Sequence, residues 1–150
     1  MQKITPCLWF DGDAEEAMQF YSSVFPDFKA LKTLFGPDNR LLVLTCQMHG
    51  QEFSFLNGGP DFKFNEAVSF VVNCETQEEV DYFWNRLSEG GETSRCAWLK
   101  DRFGLSWQIV PGVLIELLGD PDRTRAQQVM TAMMGMDKID IAALRAAYAA

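Results

Sequence analysis

The chain is short of the residues that build common catalytic and metal centres. His49 is its single histidine in 150 residues. One imidazole cannot supply a two-histidine metal site. No serine lies in a nucleophile motif, so a Ser–His–acid triad is not supported either. The cysteines Cys7, Cys46, Cys74 and Cys96 are widely spaced and form no C-x-x-C pair, which argues against a zinc cluster. They read as free thiols of a reducing compartment, with a reactive Cys7 or Cys96 as the alternative. Basic residues are scarce: 13 Lys and Arg stand against 21 Asp and Glu, for a net charge of −8. An acidic surface repels phosphate backbones and anionic lipids, so no nucleic acid and no membrane is expected as partner. No apolar run approaches the roughly 20 residues needed to span a bilayer. Residues 1–11 lack a signal-peptide pattern, and a cytoplasmic location is expected.

What is present is ordinary globular material, 47% apolar and 23% charged. The length suits a single domain over residues 1–150 with a real core. Residues 4–10 predict a strand. Asp11-Gly12-Asp13 predicts a turn that can cap a helix over residues 14–25, with Glu15 and Glu16 in its first turn. Residues 28–35, 40–48 and 51–56 predict strands, separated by Gly36-Pro37-Asp38-Asn39 and His49-Gly50. Asn57-Gly58-Gly59-Pro60 breaks the pattern, which then restarts. Residues 67–73 predict a strand and 76–89 a helix with Val80, Phe83, Trp84 and Leu87 on one face. Shorter strands are predicted near residues 93–99 and over 105–110, closed by Pro111. Helices are predicted over 122–134, with Pro121 at the first position, and over 137–149.

The two halves repeat. One offset takes Leu8 to Phe70 and Phe10 to Val72. An offset one residue longer takes Ala17 to Val80, Phe20 to Phe83, Tyr21 to Trp84 and Val24 to Leu87. A shorter one takes Gly50 to Gly104, Phe53 to Trp107 and Phe55 to Ile109. The expected fold class is therefore α+β. Two βαβββ repeats, residues 1–60 and 61–112, form a curved mixed sheet with helices outside, and a helical extension follows over 113–150. Strand side chains alternate faces. Pro6, Leu8, Phe10, Val68, Phe70, Val72, Trp107 and Ile109 are expected under the helices. Thr5, Cys7, Trp9, Ala67, Ser69, Val71, Ser106 and Gln108 are expected on the concave side.

Several stretches resemble the PhnB-like branch of the vicinal-oxygen-chelate (glyoxalase/bleomycin-resistance) superfamily. They are Ile4-Thr5-Pro6-Cys7-Leu8-Trp9-Phe10-Asp11-Gly12, Ala14-Glu15-Glu16-Ala17, Phe20-Tyr21, Leu56-Asn57-Gly58-Gly59-Pro60 and Phe62-Lys63-Phe64-Asn65-Glu66-Ala67. Cys74-Glu75-Thr76-Gln77-Glu78-Glu79-Val80-Asp81, Trp98-Leu99-Lys100-Asp101, Phe103-Gly104-Leu105-Ser106-Trp107-Gln108 and Lys138-Ile139-Asp140 continue the match. The branch often carries the label of a demethylubiquinone methyltransferase domain. A methyltransferase that uses S-adenosylmethionine needs a Gly-rich turn after a strand, and neither Gly58-Gly59 nor Gly90-Gly91 has that context. The resemblance further implies a homodimer, and metal ligands at matching points on the first and last strand of each repeat. Those points fall at Thr5, Ala67, Ser54 and Gln108, which are poor ligands. Slipping the register brings in Ile4, Phe53 or Trp107, or a solitary Glu66. No metal and no cofactor is expected.

Other groups have plainer readings. His49 is expected to be a surface turn residue. Asp11, Asp13, Glu15 and Glu16 are explained by a helix start. Asn57-Gly58-Gly59-Pro60 is either a ligand rim or a connector, and residues 62–64 are a flap or a dimer contact. Trp9 and Trp98, with Cys7 and Cys96, either line a pocket or fill the concavity. Three functions follow. The favoured one is metal-free binding of an apolar or aromatic small molecule by Thr5, Cys7, Trp9, Ser54, Asn57, Ser69, Trp98 and Gln108. The alternatives are an enzyme using a thiol, a metal or the labelled methyl transfer, and a dimeric interaction protein whose Met-rich tail makes the contact.

Overall fold

A computed structural model describes residues 2–150. The chain divides into two compact units, Met1–Phe64 and Asn65–Ala150, one repeat in each.

The first unit runs β1 (Cys7–Phe10), α1 (Ala14–Val24), β2 (Lys29–Phe35), β3 (Leu41–Met48) and β4 (Gln51–Asn57). Its sheet has the order β1-β4-β3-β2; β1 and β4 are parallel and the other pairs antiparallel. One face is apolar because inward positions alternate along each strand: Leu8 and Phe10, Leu44, Cys46 and Met48, Phe53 and Phe55 are all buried. Ala14, Ala17, Phe20, Tyr21 and Val24 form the buried stripe of α1. Tyr21 and Phe10 meet Phe55 edge-on or tilted, with centroids 5.7 and 5.1 Å away. β1 begins at Cys7, later than predicted. Pro6 has no N–H to pair and contributes only its carbonyl, which accepts from Ser54 N at 2.9 Å.

The second unit repeats the plan with β5 (Ser69–Cys74), α2 (Gln77–Ser88), β6 (Glu92–Thr93), β7 (Trp98–Lys100) and β8 (Ser106–Pro111), in the order β5-β8-β7-β6. α2 buries Val80, Phe83, Trp84 and Leu87, as its spacing predicts, and Thr76 caps it by accepting from Glu79 N. Val68, expected under the helix, lies before the strand and is 62% exposed. There Asn65 Oδ1 accepts from Ala67 N at 2.9 Å and holds a turn that delays the strand.

The short strands predicted near residues 93–99 are β6 and β7, with an irregular stretch between them. Cys96 and Ala97 take left-handed φ angles of 57° and 78°. Their N–H groups turn away from the sheet and donate to Met136 O and Asp137 O at 2.8 and 2.9 Å. The strain is offset by bonds to the tail, which consists of α3 (Gly112–Leu118), α4 (Arg123–Met134) and α5 (Ile141–Ala149). α3 was not anticipated; it is seven residues long, starts on Pro111 without a side-chain cap and buries only Leu114. Asp122 and Asp140 cap α4 and α5. Pro121 therefore stands before α4 rather than inside it, and α5 starts later than predicted.

The tail belongs to the second unit. Val110 and Ala97 share a buried cluster with Leu114, Val129, Ile139 and Leu144. Gln77 fastens it to the start of α2, donating to Ile139 O at 2.9 Å and accepting from Ile141 N at 2.8 Å. Lys138 pairs with Asp81 at 3.0 Å. Among the described residues, no helix is long and apolar enough to cross a membrane.

Candidate functional site

In each unit α1 or α2 covers one face of the sheet, and the other face carries the candidate side chains. In the first unit Cys7 stands opposite Ser54, and Ser54 opposite Thr45. Cys7 is exposed. Thr5 is exposed and precedes the strand. Trp9 and Asn57 already have structural work. Trp9 Nε1 donates to Gly59 O at 2.8 Å, and its ring meets Phe62 edge-on at 4.8 Å. The same ring lies so close over Gly58 that a Cβ there would collide with it. Asn57 Oδ1 accepts from Ala14 N at 3.0 Å, and its Nδ2 donates to Leu41 O at 3.1 Å. Asn57 thus serves the start of α1, a task expected of the Asp11–Asp13 turn; the Asp13 side chain makes no cap bond. Residues 62–64 likewise lie on their own unit, Phe64 meeting Phe10 edge-on. A cleft of about 900 Å³ opens beside Asn57, its charged lining made of exposed residues, Asp11 and Glu15 at the start of α1 and Asp38 and Arg40 in the β2–β3 hairpin.

The second unit gathers more. Its open face brings Ser69, Trp98 and Gln108 together, because Gln108 lies opposite Trp98 and donates from Nε2 to Ser69 Oγ at 2.9 Å. Next along these strands, Lys100 stands opposite Ser106. Trp98, Lys100 and Ser106 line a cleft of about 400 Å³ with Glu66, Glu92, Arg95 and others. Ser106 is wholly buried, and its Oγ has no hydrogen-bond partner among the described residues. A buried hydroxyl left unpaired costs about 1–3 kcal/mol. Lys100 forms an ion pair with Glu66, which raises the lysine pKa and lowers that of the glutamate through their mutual hydrogen bond. Asp101, just beyond, faces the interior instead. Its Oδ2 accepts from Trp107 Nε1 at 2.9 Å, and its Oδ1 accepts from Phe103 N and Leu105 N.

Sequence reasoning placed Ser106 on the open face but left it and Lys100 out of the binding set. Strand pairing explains the omission. Leu8 stands opposite Phe55 and Phe70 opposite Trp107, so Phe55 corresponds to Trp107, two residues short of the Ile109 inferred from the turn glycines. The position matching Ser54 is then Ser106, and Gln108 matches Leu56. The β7–β8 turn is longer than the β3–β4 turn, so aligning Gly50 with Gly104 shifts the strands.

The thiols divide by burial. Desolvation pushes Cys46 up to about 12 and Cys74 up to about 11, the latter with help from Glu79. Neither is a thiolate at neutral pH. Cys96 is half-buried, its Sγ 3.7 Å from Met133 O. His49 is the expected turn residue, with a positive φ and Asp27 beside it at 3.7 Å.

Residues 2–110 match the family model described as 3-demethylubiquinone-9 3-methyltransferase. The chain belongs to this family. The PhnB protein of Bacillus cereus is 32% identical, with a TM-score of 0.67 over 74% of this chain and 100% of that one. A Pseudomonas aeruginosa protein has 18% identity and a TM-score of 0.61 over 74% of this chain and 98% of its own. The fosfomycin resistance protein FosX of Listeria monocytogenes has 17% identity and a TM-score of 0.58 over 79% and 98%. The fold is that of the vicinal-oxygen-chelate superfamily. No curated protein matches the chain in sequence.

The family name and the superfamily imply two groups, and the residues fit neither. Among the described residues the βαβββ units present no Gly-rich strand-to-helix turn of the kind that cradles S-adenosylmethionine. One FosX structure is of a complex with Mn(II). In this chain the open faces of the two sheets carry Cys7, Ser54, Ser69, Ser106 and Gln108. Among the described residues no group of three or more His, Cys, Asp or Glu side chains is placed to hold a metal.

Proposed function

We propose that this member of the family binds a small apolar or aromatic molecule without a metal, on the open face of the second unit's sheet. The observation that carries the reading is the unpartnered, buried Ser106 Oγ in a cleft beside the half-buried Trp98. An aromatic wall with a few placed polar groups is how small-molecule sites are built. Ser69 and Gln108, already bonded to each other, supply a second polar pair at the same face. In the first unit Cys7 and Ser54 stand where Ser69 and Ser106 stand in the second. Native mass spectrometry of freshly purified protein tests the reading. An organic adduct and no stoichiometric metal is expected; one metal per chain would overturn it.

We also propose that the chain forms a homodimer in a cytoplasmic setting. Support comes from β2, an edge strand exposed along its whole length that presents Leu31, Leu34 and Phe35 to solvent. The same spectrum gives the subunit count, and a monomer at micromolar concentration would reject the dimer.

A further inference from the structure

Resting on that binding reading, we propose that the cleft of the second unit selects an aryl carboxylate, held by Lys100 and Ser106 with its ring on Trp98, and that Glu66 is its built-in competitor. Lys100 and Ser106 are directly opposed on β7 and β8, so their side chains rise from the same face about 5 Å apart. Trp98 lies two residues from Lys100 on that face, about 7 Å along the strand. A carboxylate that accepts from both Lys100 Nζ and Ser106 Oγ therefore leaves an attached ring over the indole. The hydroxyl that lacks a partner in the free chain gains one.

Glu66 fills the anionic role when the cleft is empty. It sits in the turn before β5, is largely exposed, and pairs with Lys100. An exposed ion pair is worth little, so a ligand carboxylate that also satisfies Ser106 displaces it. Arg95 is an exposed side chain 3.8 Å from Asp137, and Glu92 in the cleft lining repels a second negative charge. The cleft thus fits one carboxylate on an otherwise apolar molecule, rather than a diacid or a phosphate ester.

The test titrates the full chain at neutral pH with 3-phenylpropionate and with its uncharged analogue 3-phenylpropan-1-ol, following tryptophan fluorescence and heat. The acid is expected to bind about tenfold tighter than the alcohol, the effect of one charge-assisted contact. Lys100→Met should erase that preference, and Glu66→Gln should tighten acid binding several-fold. Ser106→Ala should weaken acid binding yet raise the melting temperature of the free protein. Removing an unpaired hydroxyl relieves the fold, so this variant does not fail by unfolding. Equal or tighter binding of the alcohol would overturn the carboxylate assignment and leave the small-molecule reading standing. If neither probe binds while native mass spectrometry finds an organic adduct of another class, the assignment falls alone. If neither binds and no adduct is found, both readings fall.

Discussion

Asp101 shows how one turn residue ties a hairpin to the core. Its buried carboxylate closes the β7–β8 turn through two backbone N–H groups and anchors the Trp107 indole. Asp101→Ala strips charge-assisted bonds from three donors, two of them buried, and a loss of about 3 kcal/mol is expected in urea denaturation. The thiols make a second residue-scale prediction. Cys46 and Cys74 carry pKa values raised to about 12 and about 11, against an ordinary 9.0. The folded state therefore holds these protons more tightly than the unfolded state. The resulting stability is fully present below pH 9 and is lost as pH rises through about 11 and 12. Alkylation at neutral pH should spare both residues until the chain unfolds, while the exposed Cys7 reacts. Prompt labelling of Cys46 in the folded protein would contradict this burial.

At the scale of elements, α2 is joined to the tail by Gln77 and by the Asp81–Lys138 ion pair. Gln77 precedes the first turn of α5 in space and bonds both sides of its N-terminus through Ile139 O and Ile141 N. Gln77→Ala leaves those groups unpaired, and faster hydrogen exchange across α5 is expected with α1 unchanged. Cap loss is milder. Asp140→Ala removes the acceptor for Ala143 N, with an expected cost of about 1 kcal/mol. Sequence periodicity located α1, α2, α4 and α5 because each carries an apolar stripe or a polar cap. It passed over α3, which carries neither signal and whose place is set by Leu114 in the tail cluster. It found the short strands near residues 93–99, but nothing local announces that Cys96 and Ala97 bend between them to bond Met136 and Asp137.

At the scale of the molecule, the family match stops at residue 110 and the tail adds its own core to the second unit. Val129, Ile139 and Leu144 are wholly buried there, so the tail's apolar stripe is satisfied within the chain. Leu144→Ala should cost about 2–5 kcal/mol through the cavity it leaves. A chain ended after Pro111 should expose Val110 and Ala97 and aggregate, which light scattering would report.

The sequence by itself determined the α+β class, the duplicated βαβββ plan, the faces of most strands and the family, because these rest on periodicity, caps and turn residues that are local. It also showed that Thr5, Ala67 and Ser54 are poor metal ligands, which is a matter of residue identity. Only the tertiary structure decided which side chains remained available for a ligand. Trp9 and Asn57 already hydrogen-bond to Gly59 O and Ala14 N. Ser106 looks like an ordinary strand serine until its burial without a partner is seen. Whether a polar group is satisfied depends on neighbours far away in the chain, and on a strand register that turn length alone does not reveal.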